Sequence, residues 1–154
     1  MRTEYVEAPP SLDGAEGRLA VIVYAGQSPA GAALCDRGVH FLTEPERGQQ
    51  VALIRHPAGH EVTAHRHLPH PARRVSHTGE VILVHRGKLV VDFFTSGGEP
   101  VCSRTLVAGD LLVLLAGGHG FTVLEECELV EVKQGPYHGK KHDKVPLFPY
   151  EYKE

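Results

Sequence analysis

Breakers fall so closely along this chain that they leave almost no room for a helix. No window carries apolar residues at i, i+3, i+4 and i+7 for more than about a turn, the pattern a helix needs to bury one face. Short runs rich in Val, Leu, Ile and Phe stand instead, cut by glycine, proline and charged pairs. The spacing predicts strands over residues 18–24, 50–55, 62–67, 81–85, 88–94, 101–106, 110–115, 121–124 and 128–133. Between them, Pro57-Ala58-Gly59, Arg86-Gly87, Ser96-Gly97-Gly98 and Ala108-Gly109-Asp110 supply residues that bend the chain or accept positive φ. Short strands at such regular spacing predict an all-β fold, an antiparallel sandwich or small barrel. Residues 68–79 (LPHPARRVSHTG) read as a long polar loop. The charged, Pro-rich stretch from Gly135 onward is expected to wrap the surface or hang free.

A length of 154 residues suits one domain with a real core. The net charge of −3 gives no electrostatic reason to expect nucleic acid or an anionic membrane as partner. Three cysteines, odd in number and without CxxC spacing, fit neither a disulfide framework nor a zinc ribbon. Cys102 and Cys127 read as small buried hydrophobes, and Phe93 and Phe121 as core aromatics. No basic stretch followed by an apolar one opens the chain, and the longest apolar run, 111–116, is too short to cross a bilayer. A cytoplasmic protein is the expectation.

Histidine is the outlier. There are 11, most of them between His56 and His119. The sharpest local feature is Gly59-x5-His65-x-His67, because residues two apart on a strand project from the same face. Two imidazoles on one strand face also occur without a metal, so this pair alone decides nothing. Glu80 opens the next strand, where alternation places it on the inward face with Ile82 and Val84. A carboxylate buried among apolar neighbours is costly unless it is paired or metal-bound. His119 follows the turn Ala116-Gly117-Gly118, whose glycines let the backbone bring the ring inward.

With these residues the chain resembles the cupin superfamily. The first cupin motif is matched by Gly59, His65, His67, Glu80 and Gly87, and the second by Gly109, Leu115, Gly117 and His119. The resemblance covers residues 51–133. It departs from the family in the 12 residues between His67 and Glu80, in Leu115 where proline is usual, in a His119 one residue early, and in Val123 where asparagine is usual. The resemblance implies a cupin-type double-stranded β-helix, an antiparallel jelly-roll barrel with extra N-terminal strands. Residues 1–50 would pack on a barrel spanning 51–134, with a tail over 135–154, all as one domain. It also implies one divalent metal held by His65, His67, Glu80 and His119. Three imidazoles and one carboxylate suit Fe, Mn, Ni, Zn or Cu, whereas calcium and magnesium prefer all-oxygen sites.

The inserted loop carries His70, Arg73, Arg74 and His77, enough for a cationic lip that holds an anionic substrate group; the same residues equally make a solvated loop. The stretches GEVILVHRGKLVVDFF, GDLLVLLAGGHGF and EVKQGPY are similar to a group of small bacterial cupins of unassigned activity, often found beside polysaccharide-synthesis functions. Three readings follow. One is a metal-dependent enzyme, of isomerase or dioxygenase type, acting on a small polar or anionic molecule. The second is a metal-free epimerase or ketoisomerase using histidine as acid and base, and the third a non-catalytic small-molecule-binding module. A homodimer is expected, since free strand edges are usually covered or paired.

Overall fold

Every regular element is a β-strand in the computed structural model, which describes residues 2–9, 17–26, 29, 32–45, 47–61, 63–64, 78–135 and 145–147. The strands are β1 (Arg2–Glu7), β2 (Arg18–Tyr24), β3 (Gly38–Phe41), β4 (Ala52–Arg55), β5 (Glu80–Phe94), β6 (Pro100–Val107), β7 (Leu111–Leu114) and β8 (Gly118–Lys133). Two pairs of expected strands are each a single long one: 81–85 and 88–94 form β5, and 121–124 and 128–133 form β8. Arg86-Gly87 is therefore an irregularity inside a strand and not a turn. β1 and β3 carry no apolar run and escape the pattern. Of the strand expected over 62–67, only 63 and 64 are described, and neither is in a strand.

β5 organises the sheet. Along one edge it pairs antiparallel with β8 from end to end, Glu80 opposite Lys133 and Phe94 opposite Gly118. Along the other edge two strands follow in tandem, β6 against Lys88–Phe94 and β7 against Glu80–Leu83. All three lines bend at one level. The β5–β8 register slips between Val84 and Leu89, and Gly87 sits at φ +92 with its missing Cβ only 2.1 Å from the carbonyl oxygen of Glu126. Any side chain there meets backbone, so the bend requires glycine. On the opposite edge, the Val84 N–H donates to the Asp110 carbonyl at 3.0 Å and the Gly109 N–H to the Val84 carbonyl at 2.7 Å. The fully buried Asp110 carboxylate accepts the N–H groups of Gly26 at 2.9 Å and Val107 at 3.0 Å.

This bend folds the sheet into two facing layers. One holds β1, β2, β7, the start of β5 and the end of β8; the other holds β6, the end of β5 and the start of β8. Inward residues of β5 run Glu80, Ile82, Val84 and then Leu89, Val91, Phe93. The odd step at the bend restores the alternation that a pleated strand needs to keep one face buried. Between the layers lies a core of Ile22, Ile82, Val84, Leu89, Val91, Phe93, Leu106 and Leu112 with their neighbours. Val21, Val23, Val113 and Leu115 face the other way and are covered by Leu42, with Val51 and Leu53 packed on them. Burial on both faces explains why β2 reads as the unbroken run LAVIVY.

β1 and β6 share no ladder, yet Arg104 Nε of β6 donates to Glu4 Oε1 of β1 at 2.7 Å. The result is a curled antiparallel sheet, half of a barrel. No helix among the described residues is long and apolar enough to cross a membrane.

Candidate functional site

The fold brings together two of the residues that the sequence singles out. Glu80 is the first residue of β5, flanked across the ladders by Leu114 and Lys133, and is only 8% exposed. His119 is the second residue of β8, opposite Phe93. Along a straight strand Glu80 and Phe93 would stand about 43 Å apart. The bend folds that distance away, and His119 Nε2 lies 3.3 Å from Glu80 Oε2. Local geometry aims the ring: Gly117 turns the chain at φ +69, with its missing Cβ 2.4 Å from the Phe94 carbonyl oxygen. A side chain there would force β8 off the end of β5 and carry His119 with it. The His119 ring then leans on Phe121 at 5.2 Å between centroids.

A separation of 3.3 Å is longer than the 2.7–2.9 Å of a short charge-assisted hydrogen bond. It falls within the spacing of two ligands of one ion, a range that ordinary ion pairs of this fold also reach, such as Arg18–Glu7 at 3.2 Å. Donors at about 2.1 Å from a common centre stand about 3.0–3.4 Å apart for angles between square and tetrahedral. The donor chemistry is also right, a carboxylate and an imidazole on the inner surface of a curled sheet. Glu80 and His119 are thus donors of the kind a divalent transition metal accepts.

His65, His67, His70, Arg73, Arg74 and His77 lie outside the described residues. Among the described residues no group of three or more His, Cys, Asp and Glu side chains converges. A different pair of histidines stacks at 3.9 Å, His56 on His60 across the Pro57–Gly59 turn, and both are exposed. Phe93 is core, as expected, whereas Phe121 is 39% exposed beside His119. Cys102 and Cys127 pack against the core, and burial pushes the Cys102 thiol above its ordinary pKa.

Two residues of the site region have no local signature in the sequence. Gln134 Oε1 accepts the Gly79 N–H at 2.8 Å, pinning the start of β5 to the end of β8. Lys133 stands directly across the ladder from Glu80. Only the strand register identifies them, and register is a tertiary property. No protein-family model matches this chain, and no curated protein or solved structure matches it.

Proposed function

We propose that this chain is a cupin-type metal-binding protein, an enzyme that acts on a small polar or anionic molecule such as a sugar derivative or organic acid. One observation carries the reading: the contact between layers of Glu80 and His119 at ligand spacing, made from the two positions that match the metal motifs. In this reading His65 and His67 complete the set with Glu80 and His119. The bound ion supplies Lewis acidity, activated water or oxygen chemistry. The chain's own part is to hold the donors. Glu80 contributes a carboxylate that is already desolvated, Gly117 sets the approach of His119, and Phe121 gives the ring an apolar flank that limits its rotation.

The same contact supports a second reading, because a carboxylate beside an imidazole also orients it for acid–base catalysis without any metal. Elemental analysis of the purified protein beside a His65→Ala, His119→Ala double variant separates the two. Near one equivalent of metal per chain, lost in the variant, is the expected result. A wild-type protein that is empty and refuses added Fe, Mn, Ni, Zn and Cu would overturn the metal reading in favour of acid–base chemistry.

A further inference from the structure

We propose that Lys133 is the anion-binding residue of this site and holds a small oxyanion, a carboxylate or phosphate group, against the Glu80–His119 pair. The inference rests on the metal-binding reading above. Residues directly opposite in an antiparallel ladder point to the same face, with their Cβ atoms about 5 Å apart. On β8 the residues facing inward are therefore those opposite the inward residues of β5: His119, Phe121 and Val123 in one layer, Leu129, Glu131 and Lys133 in the other. Folding the ribbon brings its two ends together, so the end that presents Glu80 to His119 presents Lys133 beside them.

Lys133 also departs from ordinary surface behaviour. Its side chain is only 19% exposed, and its Nζ lies 3.6 Å from Glu131 Oε1. Lysines are rarely so covered unless their charge is used. A covered ammonium beside Glu80 and Glu131 offsets only one of the two carboxylate charges. Once a divalent cation joins them, the place carries excess positive charge and favours an oxyanion, which a lysine binds as a point charge. Phe121 and Leu129, both on the inward face and partly exposed, offer an apolar wall for the rest of the ligand.

Isothermal titration of the metal-loaded protein with inorganic phosphate, and separately with malonate, tests this. Wild type is expected to bind at least one of the two, which distinguishes a phosphate from a carboxylate ligand. Lys133→Met should keep its metal content and weaken that binding about tenfold or more, while Lys133→Arg should recover most of it. Unchanged affinity in Lys133→Met, or loss of metal together with the anion, would overturn the proposal, as would a wild type that binds neither anion. Failure of the underlying reading looks different: the wild type carries no metal, whatever Lys133→Met does to anion binding.

Discussion

Among the described residues, a carboxylate meets a guanidinium at one place between the layers and an imidazole at another, and the two contacts are built differently. At the seam, Glu4 of β1 meets Arg104 of β6, with Nε at 2.7 Å and Nη2 at 2.6 Å on one carboxylate oxygen. The other oxygen accepts the Tyr24 hydroxyl at 2.9 Å and Arg2 Nη2 at 2.5 Å. Near β8, Glu80 and His119 stand 3.3 Å apart. The first carboxylate is enclosed by short, charge-assisted hydrogen bonds and is a latch. The second is the wider contact that the proposed metal site would use. A carboxylate contact alone therefore does not mark a function; under the proposed reading one of these is a structural ion pair and the other a pair of ligands.

Both contacts descend from the bend at Gly87, which turns β6 toward β1 and His119 toward Glu80. Breaking that bend should break both, with the largest effect. Gly87→Ala places a Cβ against the Glu126 carbonyl at positive φ and should cost roughly 3 kcal/mol, about 10 °C in melting temperature. It should also lower metal affinity in the same protein. A variant that melts like wild type and keeps its metal would show that the two regions do not share an origin.

The comparison sharpens if the carboxylates are removed one at a time. Glu80→Gln should reduce metal affinity by at least about a hundredfold while changing the melting temperature of the metal-free protein little, since an isosteric amide spares a desolvated charge. Glu4→Gln should do the reverse. It removes the charge that Arg104 bonds and should cost about 1 kcal/mol, or about 2–4 °C, with metal affinity unchanged. Metal titrations and thermal melts of the two variants read out both halves, and parallel losses in both assays would erase the distinction.

Much of this was legible in the sequence, and the limit has a physical cause. Alternation placed Glu80 with Ile82 and Val84, and the glycines before His119 announced a turn, because both signals are local. Arg86-Gly87 was ambiguous, since a hairpin turn and a bend within a strand ask for the same residue. Only the neighbouring strand decides, and β8 pairs straight past it. The seam left no trace at all: Glu4 and Arg104 lie 100 residues apart and each looks like an ordinary surface charge. The same holds for Lys133, whose meaning comes from standing opposite Glu80.

Acid separates the two regions further. The Arg104 guanidinium bonded to Glu4 holds its carboxyl below the usual value of 4.5, despite partial burial. A carboxylate whose pKa is depressed by folding contributes stability that is present above the unfolded value and lost as pH falls through the folded one. The melting temperature of wild type should therefore fall more steeply below pH 4.5 than that of Glu4→Gln. Equal slopes would mean that the seam is not closed in solution.

The smallest effect probes the same latch from the alkaline side. Burial, and then the hydrogen bond it donates to Glu4, push the Tyr24 hydroxyl from 10.0 up to about 12. Here the folded pKa is raised, so the associated stability is fully present below pH 10 and is lost as pH rises through about 12. Tyr24→Phe removes one hydrogen bond and should cost about 1 kcal/mol near neutrality, while flattening the alkaline decline. A phenolate absorbance titration of wild type minus Tyr24→Phe should place the missing group near pH 12. A difference curve centred on the ordinary tyrosine value would mean that Glu4 does not hold the hydroxyl in solution, and the short, enclosed geometry that makes the seam a latch would no longer distinguish it from the Glu80–His119 pair.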